Sequence, residues 1–509
     1  MFSMKSRTEL KAVFDKACCA QAKWSRIAVS ERTRILGRVR GMIVQHRREL
    51  ASAIPCETRQ GFRETITSEL LPLADTAQWL HQNARSILAP RHTRSRITPK
   101  WLGRIQSTVY RAPHGLVLII GTWNYPLFLI GAQVLHALAA GNAVVLKPAS
   151  GCERVSEMLL DLLIKAGVPS DLLVCLDTSV DAAKLAISVG VDHVVMTGSS
   201  SSGRSLLHQL AESLTPAVLE LSGCDAVYVL PGADLNRVSD LLVFGMLLNG
   251  GATCMAPRRI FVFSNAMEEF QTALQRKLNS ERVRNWTSKV APQTSEILDD
   301  GIREAIAQGA RLLTAQNTLP GKEPRGGDDP VLVPCGAIVL TNMQPSMRLC
   351  AADLFAPLLM IMAVDDLSDA IVKDSMCPYA LTATVFGPTE EAERLSQHVT
   401  AGVISINDLI VPTVDPQLPF GGRGESGYGV TRGNEGLLSM TVPKVVAVRK
   451  GKWLPHADEP NELDELLLDG LLQFTHDARF RGRMRGMIQA FKAIMLRRKR
   501  TPEYGSRKK

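Results

Sequence analysis

Cys254 and Glu220 are the residues whose types and spacing first suggest covalent chemistry. Cys254 follows the glycine-rich run Asn249-Gly250-Gly251-Ala252-Thr253, and Glu220 lies inside the apolar run Leu219-Glu220-Leu221, ahead of Ser222-Gly223. A buried carboxylate is costly, so it must be satisfied or serve a purpose. Together, thiol and carboxylate offer a nucleophile and a base from separate segments. Singly, each has a plainer reading: one cysteine among ten is more often an inert small hydrophobe. Asn124, within Gly121-Thr122-Trp123-Asn124-Tyr125-Pro126, is either a local cap at a helix entrance or an amide donor to a developing oxyanion. Lys147, in Leu146-Lys147-Pro148, either reaches a ribose or phosphate or simply faces solvent. The run Thr197-Gly198-Ser199-Ser200-Ser201-Ser202-Gly203-Arg204 either admits a diphosphate or is a flexible turn. It is not the usual G-x-G-x-x-G fingerprint.

These residues need strands that end beside helices. Short apolar runs at 116–120, 143–146, 172–176 and 193–196, separated by helix-length segments, predict a mostly parallel sheet covered on both faces. Asn124 then falls at the carboxyl edge, where open α/β sheets bind ligands. A second β/α region begins near residue 226, with strands expected at 260–263, 337–340, 359–364, 383–386 and 403–406. Residues 9–88 read as helical, with Ile35, Leu36, Val39, Met42 and Ile43 forming an apolar stripe. A helix is expected over 127–140, with Pro126 suited to its first turn. Residues 319–330 are rich in Gly, Pro and Asp and read as a surface loop.

A chain of 509 residues exceeds one ordinary core and predicts two or three domains. Its 45% hydrophobic and 21% charged residues are those of a globular protein. Dispersed glycines and prolines exclude collagen-like and solenoid readings. The first residues show neither the apolar core nor the small-residue cleavage site of a secretory signal, so none is expected, and the most apolar run is too short to cross a bilayer. The cysteines lack the paired spacing of a metal site or disulfide scaffold, so no metal and a reducing, cytoplasmic location are expected. The net charge of +9 is carried by the end of the chain: residues 479–509 hold twelve Lys and Arg against Glu503. The preceding body is slightly acidic, so the charge gives no argument that the main fold binds nucleic acid.

Over residues 9–450 the chain resembles the aldehyde dehydrogenase superfamily. The family's asparagine motif matches Trp123-Asn124-Tyr125-Pro126, its cofactor lysine Lys147-Pro148, and its cofactor loop Thr197-Gly198-Ser199 through Gly203. Its base and nucleophile fall on Glu220 and Cys254 with the family interval preserved. Asp353-Leu354-Phe355-Ala356-Pro357 is similar to the cofactor-ribose motif. Pro419-Phe420-Gly421-Gly422 and Ser426-Gly427-Tyr428-Gly429 are similar to the closing glycine motif. A missing glycine turn between Cys175 and Val191, and Gly424 in place of a lysine, resemble the shorter branch that oxidises fatty and aromatic aldehydes.

The resemblance implies an α/β aldehyde dehydrogenase-like fold with a Rossmann-like cofactor domain, a second α/β catalytic domain and a small oligomerisation element. The boundaries expected are a helical and dinucleotide-binding part over 1–221 and a catalytic domain over 222–412. A return to the cofactor domain with an oligomerisation strand follows over 413–450, then an acidic linker and basic tail over 451–509. It implies oxidation of an aldehyde to an acid, with Cys254 as nucleophile, Asn124 as oxyanion donor and Glu220 as base. Thr122, Trp123, Lys147, Ser150, Gly198, Ser199, Gly203, Leu221, Asp353 and Phe355 would hold NAD. Ser150 stands where many NAD-preferring members carry glutamate, so NADP is expected to be tolerated too. Asp353 for glutamate, Cys224 for lysine, Ala252 for glutamine and Ala356 for glycine depart from the family pattern; none removes a catalytic atom. A dimer or tetramer is implied, with a strand near 442–448. Beyond residue 451 the resemblance fades. An acidic stretch at 458–469 precedes Phe480, Met484, Met487, Ile488, Phe491, Ile494 and Met495 at helical spacing among arginines. Residues 479–500 read as a basic amphipathic helix for an anionic membrane surface, or as a helix packed on the enzyme body; nucleic-acid binding is a third reading, disfavoured by the regular apolar spacing. A non-catalytic, membrane-associated scaffold of the same fold is the alternative function.

Overall fold

In the computed structural model of the chain, residues 6–55, 58, 59, 61–93, 105–313, 333–450 and 462–500 are described. They divide into two units, Met1–Ala89 with Arg111–Val442, and Pro90–Tyr110 with Pro443–Lys509.

The larger unit contains two sheets. The first runs in the order Gly427–Tyr428, Ala217–Leu221, His193–Gly198, Leu116–Ile120, Ala143–Lys147, Leu173–Cys175. All its pairings are parallel except that of Gly427–Tyr428. Leu116–Ile119 and Ala143–Leu146 are almost wholly buried, as expected of strands covered on both faces. One cover is the helix Phe128–Ala140, where every residue but Leu129 is buried; a helix apolar on all sides belongs inside a fold. It ends at Gly141, whose φ of 102° closes the last turn. The register sets Ile120 beside both Lys147 and Met196, and Gly198 beside Leu221. The loops after these strands therefore emerge along one carboxyl edge.

The second sheet has seven strands: Arg311–Leu312, Ile338–Thr341, Leu358–Val364, Pro257–Phe263, Asp225–Val229, Thr382–Phe386 and Val403–Ile406. Only Arg311–Leu312 pairs antiparallel. The expected strands appear in both sheets, with ends shifted by up to three residues. The apolar stripe of the opening section is split between the helices Val29–Gly37 and Val39–Gln45; Leu36, Val39 and Ile43 are buried. The expected loop at 319–330 lies outside the described residues.

The smaller unit holds a three-stranded sheet ordered Arg91–His92, Ile105–Pro113, Thr441–Arg449, and the chain boundary between the units falls within the last two of these strands. It also holds two packed helices, Glu462–His476 and Phe480–Arg500. Leu467, Ala490 and Ala493 form their buried seam. Gly470 fits there because a Cβ would press on the backbone of Gly486 and Ala490. No helix among the described residues is long and apolar enough to cross a membrane.

Candidate active site

Cys254 is held by a turn that most sequences could not make. Asn249, Gly250 and Gly251 have successive φ values of 50°, 66° and 80°. A side chain at Gly251 would strike the backbone of Ala356. Asn249 tolerates the left-handed region and is anchored on several sides. Its Nδ2 donates to the carbonyl oxygen of Asn124 (2.9 Å), its backbone N–H donates to Glu64 (2.7 Å), and Thr58 Oγ1 donates to its Oδ1 (2.8 Å). Buried Arg258 ties the same loop to the second sheet through the carbonyls of Gly251 (2.7 Å) and Leu354 (3.1 Å).

Asn124 is buried and does not cap the neighbouring helix. Thr122 Oγ1 donates to its Oδ1 (2.8 Å), and its Nδ2 donates to the carbonyl oxygen of Ala252 (3.0 Å), two residues before Cys254. The cap comes instead from Glu69, whose Oε2 accepts from the N–H groups of Leu127 (3.1 Å) and Phe128 (2.5 Å). A carboxylate there also meets the positive end of the helix dipole. Glu69 lies on a π-helical turn, Ile66–Leu70, an irregularity common at functional sites. It pairs with Arg59 at 2.6 Å, both side chains being fully buried. Arg59 in turn donates to the carbonyl oxygen of Asn124 at 2.6 Å. Arg59 and Glu69 carry no motif that would single them out in the sequence, and Asn249 stands in the glycine-rich run without any mark of its anchoring role.

Glu220 sits on the Ala217–Leu221 strand, opposite Thr197 and Gly427. Thr431 Oγ1 donates to its Oε2 (3.0 Å), while its buried Oε1 has no hydrogen-bond partner among the described residues. Burial raises its carboxyl above the usual range, opposed by Arg432 and Thr431. Cys254 is half-buried. Its thiol is raised by burial, then by Glu220 and Asp225, and lowered by Arg432. Both residues line one cavity of about 520 Å³. Its walls include Phe128, Phe244, Leu247, Met255, Ile410 and Phe420. Asn124 is not among the residues that line this cavity, whereas its neighbour Tyr125 is, with its hydroxyl 2.6 Å from Thr253 Oγ1.

Arg432 also reaches this cavity. Its φ of 61° and ψ of 176° belong to a region nearly reserved for glycine, at a cost of about 1–3 kcal/mol. Phe420 and Thr431 exchange backbone hydrogen bonds (2.8 and 2.7 Å). That clamp delivers Thr431 to Glu220 and Arg432 to the cavity.

The remaining candidates follow the carboxyl edge of the first sheet. Lys147 is half-buried with its ammonium lowered by burial, and Ser150 is exposed. Gly198 and Ser199 end the His193–Gly198 strand, and Ser199 caps the helix Ser200–Ser213 by accepting from Ser202 N–H (3.3 Å). Gly203 lets that helix approach Leu221, because a Cβ would meet its side chain at 2.9 Å. Thr122 is buried and Trp123 exposed, its ring edge-on to Phe355 at 5.6 Å. Asp353 is half-buried beside Ser222, and burial raises its carboxyl. Ammonium, hydroxyls and a helix N-terminus along one edge fit an anionic dinucleotide. Among the described residues no cluster could hold a metal ion.

The fold has counterparts in known proteins. The aldehyde dehydrogenase family profile matches residues 2–446. A 4,4'-diapolycopene aldehyde oxidase from Methylomonas sp. is 30% identical over 444 residues, covering 86% of this chain and 81% of that protein. A putative NADP(+) succinate-semialdehyde dehydrogenase from Mycobacterium ulcerans is 27% identical over 451 residues, covering 87% and 85%. Among solved structures, an NAD-dependent aldehyde dehydrogenase from Sinorhizobium meliloti superposes with a TM-score of 0.78 at 25% identity, over 89% of each chain. A putative aldehyde dehydrogenase from Burkholderia cenocepacia gives 0.79 at 24% identity, covering 89% of this chain and 92% of that one. The chain belongs to the aldehyde dehydrogenase family.

Proposed function

We propose that the protein oxidises apolar aldehydes, fatty or aromatic, to carboxylic acids with NAD, and that it tolerates NADP. The observation that carries this reading is the sharing of one largely apolar cavity by Cys254 and Glu220. The Cys254 thiolate adds to the aldehyde carbon, forming the C–S bond and pushing the carbonyl electrons onto oxygen. Asn124, whose Nδ2 already lies against the Ala252 carbonyl two residues before Cys254, would turn its second amide N–H, with the Cys254 backbone N–H, to that oxyanion. When bound, the nicotinamide supplies the hydride acceptor that turns this adduct into a thioester on Cys254. Glu220 then takes a proton from water as its oxygen attacks the acyl carbon, and the thiolate leaves with the C–S bond electrons. A base raised toward neutrality suits that task. Lys147, Ser150, Ser199, Asp353 and Phe355 would position the cofactor, with Thr122, Trp123, Gly198, Gly203 and Leu221 shaping its bed. This reading divides the work between a cofactor domain over 1–221 with 413–450 and a catalytic domain over 222–412. The NAD(P) names of the relatives support the cofactor class, and exposed Ser150 offers no carboxylate to repel a 2′-phosphate.

Two surface features support partners. On the Thr441–Arg449 strand, Val442, Val445, Val446 and Val448 are exposed at the margin of its sheet, which suits pairing within a homo-oligomer. On Phe480–Arg500, exposed Phe480, Ile488 and Phe491 lie among eight Lys and Arg with no acidic residue. That combination suits an anionic membrane surface.

The test is reduced-cofactor formation from NAD and NADP with aldehydes from propanal to hexadecanal and benzaldehyde. Rising kcat/KM with chain length is expected, as is loss of oxidation in folded Cys254→Ser. Turnover retained by Cys254→Ser would overturn the mechanism, and a flat chain-length profile would overturn the substrate class.

A further inference from the structure

Three arginines line the aldehyde cavity, and only Arg432 is buried; Arg63 and Arg282 are exposed. Its backbone is held in a glycine-type conformation, and a residue kept there against local preference marks a demand from elsewhere in the fold. The guanidinium lies 4.6 Å from the centre of the Phe420 ring and 5.6 Å from that of Phe128. Nη1 donates to the carbonyl oxygen of Thr413 at 2.6 Å, and buried Nε has no hydrogen-bond partner among the described residues. Glu220 Oε1, on the same cavity, is likewise unpartnered.

We propose that Arg432 is a positioning residue for the aldehyde chemistry: its guanidinium is the buried positive charge against which Cys254 and Glu220 hold their anionic forms. The proposal rests on the roles given above to those two residues. Around this centre stand Glu220 from its strand, Asp225 from the neighbouring sheet and Asp415 from the loop after Val411–Val414. Glu64 from the opening helices and the Tyr125 hydroxyl complete the acidic side. His136, on the helix behind Phe128, is kept neutral by burial, its pKa falling to about 4. Tyr125 stays neutral because burial raises its hydroxyl. Arg59, over the Tyr125 ring, is already paired with Glu69. Arg432 is thus the cation that opposes burial at both reacting groups. A guanidinium suits the position because it stays charged and is weakly hydrated.

The test is the pH dependence of Cys254 alkylation by iodoacetamide, a neutral reagent, followed on the Cys254 peptide by mass spectrometry. Arg432→Gly removes the charge and relieves the backbone; Arg432→Asn removes it with the non-glycine residue most tolerant of positive φ. Both are expected to move the alkylation midpoint up by about one pH unit or more, roughly a tenfold slower reaction below the midpoint. Arg432→Lys should stay near the parent. Folded neutral variants with the parental midpoint would overturn the proposal. So would failure of both neutral variants to fold while Arg432→Lys folds, since the charge would then be structural. Thiol titration does not depend on turnover. Aldehyde oxidation by Cys254→Ser would therefore remove the assigned nucleophile without changing the measured pairing of charge and thiol.

Discussion

Glu69→Gln is the substitution that tests most directly how the Asn124 loop is held. It keeps the shape of the side chain and leaves an amide oxygen for the N–H groups of Leu127 and Phe128, now bound at 3.1 and 2.5 Å. It removes the negative charge 2.6 Å from Arg59, where both side chains are fully buried. Breaking a buried pair by deleting one partner costs about 3–5 kcal/mol. The low end applies here, because Arg59 also donates to the Asn124 carbonyl oxygen (2.6 Å) and to Asn249 Oδ1 (3.3 Å). At roughly 1 °C per kcal/mol for a unit of about 400 residues, from an unfolding entropy of about 2.1 cal/mol/K per residue, about 3 kcal/mol becomes a fall of about 3 °C in apparent Tm. The assay is thermal unfolding of Glu69→Gln, Arg59→Met and the double variant at one scan rate. Arg59→Met removes the stranded charge, so the double variant should recover most of the Glu69→Gln loss. The kcat of Glu69→Gln should fall as well, since Arg59 grips the backbone of the proposed oxyanion donor. Strictly additive single effects, or a Tm shift below 1 °C, would refute the reasoning.

Three further outcomes are expected. Gly251→Ala should lose Cys254 alkylation and aldehyde turnover together, because its Cβ would strike the Ala356 backbone and φ is 80°; a crystal structure of the variant with an undisplaced Cys254 would contradict this. The acid limb of kcat/KM should lie above the ordinary carboxylate value of about 4.3, because burial raises Glu220 and the base must be ionised. Its folded form also holds the proton more tightly than the unfolded chain. Its stability contribution is therefore present at low pH and lost as pH rises through the raised value; Glu220→Gln should abolish both dependences. Full-length protein should float with anionic vesicles, and a chain ending before Arg479 should not; flotation of both, or of neither, would remove the tail from the account.

The parallel sheets were legible because their strands are unbroken apolar runs between turn residues. Leu116–Ile120 and Val403–Ile406 read at their observed ends for that reason. Ile105–Pro113 was not, because its residues are only partly buried and mix Gln, Ser, Thr, Tyr and Arg with Ile and Val. The candidate nucleophile, base and amide were legible through the motifs around them. What holds them was not: Arg59 meets Asn124 across 65 positions, Glu69 meets Leu127 across 58, and Thr431 meets Glu220 across 211. Each is an ordinary polar residue in its local context, and only packing gives it a partner. Arg432 gave one retrospective signal, an arginine closely following a glycine-rich closing motif, but nothing local distinguishes it from a solvated side chain.

The turn that carries Cys254 closes on local hydrogen bonds, Ala252 N–H to the Asn249 carbonyl oxygen (2.9 Å) among them, but is also anchored from a distance. Asn124 reaches it from the loop after the first sheet's Leu116–Ile120 strand, and Ala356 and Arg258 press on it from the second sheet. Left to local preference, three successive left-handed residues would relax, so the shape that presents the thiol exists only once both sheets are in place. The setting of Cys254 therefore depends on contacts made across both sheets, and a chain in which one sheet is unformed lacks the turn that seats its thiol.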